Sequence, residues 1–99
     1  MRSLSSQIYF QRKKMDEKSL RSLIEHGGVK HLQIIADGAL FHVDVVTTKK
    51  GQITALTSKG TIKTWATLDS TAKWIRSLGI GKAQLDVTGW QPGQRELLL

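Results

Sequence analysis

The order of hydrophobic and polar positions predicts a helix near the start of the chain. Apolar residues recur there at the spacing of one helical face: Leu20, Leu23 and Ile24. Asp16 precedes them and is a side chain that accepts hydrogen bonds from free N–H groups at a helix start. Gly27 and Gly28 follow, and glycine readily adopts the left-handed conformation that ends many helices. We therefore predict a helix over about 17–26.

From Val29 the pattern changes to the two-residue alternation of strands. It predicts an antiparallel meander of four strands: HLQIIA, LFHVDVVTT, QITALTS and TIKTW. Asp37-Gly38 is a two-residue hairpin signal, and Lys49-Lys50-Gly51 and Lys59-Gly60 mark the next turns. The second strand has two faces, with Phe41, Val43 and Val45 on one and Leu40, His42, Asp44 and Val46 on the other.

A second helix and a fifth strand complete the pattern. Thr67 or Asp69 is suited to cap a helix, and Gly79 to end it. The apolar positions of this helix are Leu68, Ala72, Ile75 and Leu78. The strand AQLDVT follows, and we expect Leu85 and Val87 to face the core.

These elements predict an α+β fold. We expect an antiparallel sheet of four to five strands, an N-terminal helix, and a second helix that crosses over before the last strand. The expected single domain, 1–99, consists of a basic segment with a helix (1–28), a sheet-and-helix core (29–88) and a mobile tail (89–99). HLQIIA and AQLDVT, the first and last strands, are the candidates for unpaired edges, and neither contains the proline that protects many edge strands.

Composition limits the functions that such a domain can have. The chain has 99 residues, no cysteine, and fifteen Lys and Arg against eight Asp and Glu, which gives a net charge of +7. Disulfide and thiolate chemistry are excluded. No apolar run approaches the roughly 20 residues of a membrane span, so we expect a cytoplasmic protein without membrane contact. The basic charge favours polyanions or acidic protein surfaces as partners, although solubility alone also explains it.

The polar residues do not form a recognisable catalytic or metal-binding motif. His26, His31 and His42 have no ligand-pair spacing. His31 and His42 can approach each other across the first hairpin, where Asp44 can join them, but ordinary sheet histidines are the favoured interpretation. Asp44 and Asp86 resemble paired carboxylates, yet alternation places each on the polar face of a strand. We therefore predict no catalytic residue, metal or cofactor, and no enzyme activity.

The basic residues are the candidates for nucleic-acid binding. They form one cluster near the N-terminus, extended along the predicted helix, and a second at a hairpin tip: Arg12, Lys13, Lys14, Lys18, Arg21, Lys49 and Lys50. Tyr9 and Phe10 adjoin the first cluster, where they can stack on bases. The sequence has no helix-turn-helix signature, so we expect weak, sequence-independent binding. A solvated basic surface is the alternative.

The large apolar side chains are the candidates for protein contacts. We expect Trp65 and Trp74 to hold the second helix on the sheet. Trp90 either covers the core edge or binds a partner, since tryptophan is favoured at interaction hot spots. The apolar triplet Leu97, Leu98 and Leu99 is a second candidate for partner binding. With the unpaired strand edges, these residues suggest a homodimer or a docked partner.

A resemblance to a known group of proteins covers residues 53–93. It rests on these residues in this order: Lys59-Gly60, Trp65, Leu68-Asp69, Trp74, Leu78-Gly79 and Asp86-Val87. In this order they resemble the ParC-type plasmid partition-associated small proteins. The resemblance implies a non-enzymatic accessory role in plasmid partition or stability, exerted through protein–protein contacts. The implied partners are a partition ATPase, a centromere-binding protein or plasmid DNA. The alternative is a small basic DNA- or RNA-binding regulator.

Overall fold

The computed structural model describes residues 13–91. Within them it has five strands and two helices, which confirms the α+β class. In chain order they are β1 (Lys13–Asp16), α1 (Glu17–Glu25), β2 (Val29–Gly38), β3 (Leu40–Thr47), β4 (Gln52–Leu56), α2 (Leu68–Ser77) and β5 (Gln84–Trp90). In this part of the chain, neither helix has the length and hydrophobicity needed to cross a membrane. The predictions for Tyr9, Phe10, Arg12 and Leu97–Leu99 lie outside the described residues.

The first helix begins and ends close to where the sequence predicts. The Asp16 carboxylate accepts the Ser19 N–H at 3.0 Å, which satisfies one of the free donors of the first turn. At the other end Gly27 has φ 74 and its N–H donates to the Ile24 carbonyl. A side chain would be strained in that conformation. These local signals therefore fix both ends of α1.

Local capping residues also set the ends of the second helix, and the structure decides between the two predicted caps. Thr67, not Asp69, is the N-cap, and its hydroxyl oxygen accepts the Ser70 N–H at 3.1 Å. Gly79 has φ 89 just after the helix, as expected of its terminator. The chain reverses there and leads to β5.

The sheet is mixed, so the prediction of an antiparallel sheet is wrong in part. Its strand order is β1-β4-β3-β2-β5. The central pairs, β2 with β3 and β3 with β4, are antiparallel hairpins. Both outer pairs, β1 with β4 and β2 with β5, are parallel. The physical reason is that β1 and β5 are separated from their neighbours by long connections that include a helix, and such crossovers allow strands to run in parallel.

The predicted fourth strand of the meander does not form. Residues 61–65 make only two isolated bridges, from Ile62 to Leu56 and from Trp65 to Phe41. The place beside β4 belongs instead to β1, with Lys13 opposite Ile53. Residues 61–65 contact β4 at Ile62 and β3 at Trp65. Because this segment passes from one strand to the other, it does not run alongside either of them as a continuous partner.

Two further predictions about the strands need correction. The strand HLQIIA lies within β2, which is bonded to β3 on one side and β5 on the other, so it is not an edge. The other predicted edge, AQLDVT, is confirmed as β5. The first hairpin turns at Gly38-Ala39 rather than at Asp37-Gly38, because Asp37 pairs with Leu40. Gly38 has φ 64, so within the predicted Asp37-Gly38 turn it is the glycine that lies in the turn.

The core lies between the inner face of the sheet and the two helices. Its buried apolar members are Leu20, Leu32, Ile34, Ala36, Phe41, Val43, Val45, Ile53, Ala55, Ile75 and Leu78. The predicted inner face of β3 is confirmed. Trp65 and Trp74 pack against this core with ring centroids 4.9 Å apart, as predicted. The Trp74 indole N–H also donates to Glu17 at 2.9 Å, which joins α2 to α1.

The last strand departs most from prediction. Leu85 and Val87 were expected in the core, yet they are 47% and 46% exposed. Leu85 lies opposite buried Ile34 in the register, but α2 does not cover it. The strand also extends through Gly89 and Trp90, two residues into the segment predicted as the tail.

Candidate functional site

The strand order brings separate basic segments to one end of the sheet. The starts of β1, β2, β4 and β5 and the end of β3 all lie there, as the residue pairing across the sheet shows. We call this surface the lysine end: Lys30, Lys49, Lys50 and Lys82 lie at the strand ends, and Lys14 lies further along the edge strand β1, level with Thr54. Five strands about 4.8 Å apart spread these lysines over roughly 19 Å. The topology therefore creates a basic strip from lysines that are far apart in the sequence.

The lysine end keeps its charge because its side chains are exposed and unneutralised. All five lysines are exposed, and none forms an ion pair within residues 13–91. In the same described range, Glu25 at the end of α1 is the exposed carboxylate at this end. The opposite end of the sheet and helices carries four acidic residues: Asp16, Glu17, Asp37 and Asp69. Lys18, Lys59 and Lys63 also lie toward that end, so positive charge is in excess at the lysine end, whereas the two signs are mixed at the other.

The basic residues predicted from the sequence, within the described range, separate into three groups: those at the lysine end, Lys18, and Arg21. Lys14, Lys49 and Lys50 belong to the lysine end, where Lys13 also begins β1. Lys18 lies in the first turn of α1, which starts at the opposite end.

Arg21, the third group, is occupied by contacts within the protein. Its Nε donates to Glu17 at 2.9 Å and its Nη1 to the Ser77 carbonyl at 3.1 Å, so it holds α1 against the end of α2. The sequence carried a signal for this role, since Glu17 and Arg21 have the spacing of a helical ion pair.

Lys30 and Lys82 were not predicted as binding residues. They flank β2 and β5, and in the sequence they read as charges that protect strand ends. Only the parallel pairing of β2 with β5 places them beside each other. No local sequence signal reports such a pairing.

Asp44 is a structural residue at the centre of the outer sheet face. It is fully buried, and it accepts hydrogen bonds from Thr54 Oγ1 at 2.9 Å and Gln52 Nε2 at 3.0 Å. Both donors are on β4, so the carboxylate fastens β3 to its neighbour. Its outward direction was predicted correctly, but its burial was not. A buried carboxylate needs such partners because desolvation is costly.

The approach of His31 and His42, which the sequence left open as the less favoured alternative, does not occur. His31 pairs with Val46 and His42 with Ile35, which puts the histidines at different levels of the hairpin. His42 Nε2 lies 3.8 Å from Asp44 Oδ1. Residues 13–91 contain no group of three or more side chains that could hold a metal ion. Asp86 pairs with Ile35 on the far side of β2, so it is not coupled to Asp44.

The second candidate surface is an apolar groove between α2 and β5. It consists of two cavities of about 250 and 290 Å³ that share Leu68 and Leu85. We call it the α2–β5 groove. Its exposed apolar side chains are Leu68 (39%), Leu85 (47%), Val87 (46%) and Trp90 (42%). The Trp90 ring lies 6.0 Å from that of Phe41, so Trp90 borders the core and remains open to contact.

Two cations lie at one end of the α2–β5 groove. Arg76 and Lys82 line its second cavity, together with Ala72, Ile75 and Ile80. Nearby on α2, Lys73 is paired with Asp69 at 3.2 Å, but neither Arg76 nor Lys82 has an ion pair within the described residues. The groove thus combines an apolar floor with a positive end.

Comparisons with known proteins do not name a relative. No family model, no curated protein and no solved structure matches this chain. The resemblance of residues 53–93 to the ParC-type proteins therefore stays a prediction.

Proposed function

We propose that this chain is a non-enzymatic binding protein whose lysine end holds the phosphate backbone of nucleic acid. The observation that carries the proposal is the convergence of five exposed, unpaired lysines from separate segments on one end of the sheet. Opposing acids lie mainly at the other end. The excess of positive charge at the lysine end attracts a polyanion to that end of the molecule.

The geometry supports backbone binding rather than base reading. Strand ends and a hairpin tip make up the lysine end, while α1 and α2 both present their C-terminal ends to it. Phosphates bind to the N-terminal ends of helices, where N–H groups are free, so neither helix contributes donors here. Lysine contacts to phosphates carry no sequence information. Binding should therefore be weak, salt-sensitive and independent of sequence.

An anionic membrane would also attract lysines, but the apolar residues are in the wrong place. Membrane-surface proteins insert apolar side chains next to their basic ones. Here the exposed large apolar residues lie on the opposite hairpins and along β5: Leu40, Ile62, Leu68, Leu85, Val87 and Trp90. Within the lysine end, Lys82 borders Leu68 and Leu85 in the groove, and the other four lysines lie away from these apolar side chains. This arrangement favours nucleic acid.

The test compares two triple variants of equal charge change by fluorescence anisotropy with a labelled duplex. K30Q/K49Q/K82Q alters the lysine end, and K18Q/K59Q/K73Q removes three lysines outside it. We expect the first to weaken binding by about tenfold or more near 50 mM salt and the second by less than about threefold. Five phosphate contacts limit the salt slope to about −4.5, and the first variant should reduce it by about 2.7.

Three outcomes would contradict the proposal. The first is equal binding by the two triple variants, which would show that binding follows net charge alone. Tight binding to a single duplex sequence at about 200 mM salt would require a base-reading element. Binding to phosphatidylserine vesicles without binding to the duplex would identify a lipid surface as the target instead.

The second candidate function is a plasmid partition or stability accessory protein that acts through protein contacts. The α2–β5 groove favours it, because four apolar side chains stay exposed along one path. The resemblance of residues 53–93 supplies the setting, with a partition ATPase or a centromere-binding protein as partner. A partition ATPase gene beside this one supports this function, and an isolated chromosomal position contradicts it.

A further inference from the structure

The α2–β5 groove has a shape and charge that select one kind of occupant. We propose that it binds an acidic amphipathic segment of a partner protein, with apolar side chains in the two cavities and carboxylates on Arg76 and Lys82. The inference rests on the second candidate function for the existence of a protein partner. It does not depend on nucleic-acid binding at the lysine end.

The position of β5 explains why the groove is open. Strands in parallel pairs are ordinarily covered by helices on their faces. Here α2 packs on β3, and the chain turns away at Gly79 before the helix reaches over β5. The inner side chains of β5, Leu85 and Val87, therefore stay about half exposed. A second layer is absent from this side of the described chain, so a partner can supply it.

The apolar lining indicates what enters the cavities. Each cavity is many times larger than the roughly 30 Å³ that a water occupies in the liquid. Leu68 and Leu85 stand between them, which makes a path along the helix rather than one deep pocket. Burying apolar surface on this path is favourable because it removes the surface from water. A helix with apolar residues on one face offers side chains at such spacing.

The charge at the groove end sets the polarity of the occupant. Arg76 lies in the last turn of α2 and Lys82 precedes β5, so both border the same cavity. Asp69, the acid in the first turn of α2, is 3.2 Å from Lys73 and does not neutralise them. Opposite charges raise the association rate and fix the register of an apolar contact. A basic segment of equal hydrophobicity would be repelled at this end.

A second copy of this chain fits the groove less well. Pairing through β5 edges needs a regular strand, but β5 has two residues between Asp86 and Gly89 where β2 has only Ala36. The Asp86 carboxylate also accepts the Thr88 N–H at 2.9 Å, which leaves that donor occupied. Bulges and charges are the usual means of protecting edge strands. Each copy also carries a net charge of +7, which opposes self-association.

The test uses three designed peptides of about 15 residues, long enough for helix formation on binding. Their leucines are identical and follow helical spacing, while their polar positions are all Glu, all Gln or all Lys. We expect the Glu peptide to bind at least about tenfold more tightly than the Gln peptide, and the Lys peptide to bind weakest, near 0.15 M salt. Fluorescence polarisation of the labelled peptides measures this order.

Matched variants assign the binding to the groove. Leu85→Ser should weaken the Glu peptide about tenfold or more, whereas Ile62→Ser, at 46% against 47% exposure, should change it less than about twofold. Arg76→Gln should reduce the preference for Glu over Gln without abolishing leucine-dependent binding. Lys49→Gln should leave peptide binding unchanged, and Leu85→Ser should leave duplex binding unchanged. The two proposals therefore fail separately.

Three results would overturn the inference. The first is equal binding of the Glu and Lys peptides. The second is binding that is insensitive to Leu85→Ser. The third is a dimer near 10 µM in sedimentation equilibrium that Leu85→Ser dissociates and Ile62→Ser preserves, because the groove would then be the interface between two copies.

Discussion

Strands β3 and β5 carry similar alternation but differ in burial. Val43 and Val45 on β3 are fully buried, whereas Leu85 and Val87 on β5 are 47% and 46% exposed. Alternation reports the side of the sheet on which a side chain lies. It does not report whether a second layer covers that side. On β3 the cover is α2, and on β5 it is absent from the described chain.

The polar faces of the two strands differ in the same way. Asp44 and Asp86 both stand between apolar residues, yet Asp44 is buried and bonded across to β4, whereas Asp86 is exposed and bonded to its own strand. A central strand has neighbours on both sides that supply donors. An edge strand must satisfy its carboxylate locally or in water.

The largest expected effect compares two leucine truncations. Leu32→Ala removes a fully buried side chain and should lower the free energy of unfolding by about 2–5 kcal/mol. Leu85→Ala removes a half-exposed side chain and should cost less than about 1 kcal/mol. Urea denaturation measures both. Equal losses would mean that β5 is as well covered as β2.

The second comparison concerns the carboxylates. Thr54→Val removes the 2.9 Å hydrogen bond to buried Asp44 and should destabilise the protein by about 1–3 kcal/mol. Asp86→Asn on the exposed strand should change stability by less than about 0.5 kcal/mol. The same denaturation experiment applies. A harmless Thr54→Val would show that Asp44 does not rely on the Thr54 hydroxyl, since Gln52 also donates to it from β4.

The third prediction concerns the turn that ends α2 and leaves β5 uncovered. Gly79→Val places a β-branched residue at φ 89 and should cost about 1 kcal/mol or more. Gly81→Val is the control, because this glycine has no positive φ and no atom within 4 Å of an added Cβ. Unfolding midpoints distinguish the variants. An unchanged midpoint for Gly79→Val would remove Gly79 as the helix terminator.

The smallest expected effect concerns the contact between Glu17 on α1 and Trp74 on α2, the helix that covers β3. The Trp74 indole N–H, and then Arg21, donate to Glu17 and lower the pKa of its carboxyl below 4.5. The stabilisation is therefore present above that value and is lost as the pH falls through the lowered pKa. Its size is below about 1 kcal/mol, because water screens this half-exposed pair.

Glu17→Gln should make the loss of stability between about pH 6 and pH 3 less steep. Trp74→Phe should act in the same direction, since it removes the largest cause of the shift. Thermal unfolding at several pH values measures the slope. A steeper acid dependence in either variant would show that the contact does not favour the charged carboxylate.

The sequence predicted those features that local residues determine. The first helix was placed within one residue, and the second was placed between its terminator Gly79 and a cap left open between Thr67 and Asp69, because capping residues act on their own neighbours. The strand β1 and the failure of residues 61–65 to form a strand were missed, since both follow from pairing between distant segments.

The candidate site shows the same division. The charged hairpin tip was predicted from Lys49 and Lys50, which adjoin each other in the sequence. Lys30 and Lys82 entered the site only through the parallel pairing of β2 with β5. The exposure of Leu85 depends on where α2 ends relative to β5, and no alternation pattern contains that information.

The parallel pairing of both outer strands, β1 and β5, also affects the order in which the sheet folds. The central pairs join residues close in sequence, such as Ile34 with Val43, whereas β1 and β5 pair with residues far along the chain, such as Lys13 with Ile53 and Gln33 with Gln84. Closing long loops costs more entropy and slows folding. We expect the β2-β3-β4 hairpins to assemble first and β5 to join last. Newly made chains would then pass through a state in which β2 is temporarily an open edge, and chaperones or other chains would meet Ile34 and Ile35 before β5 covers that edge.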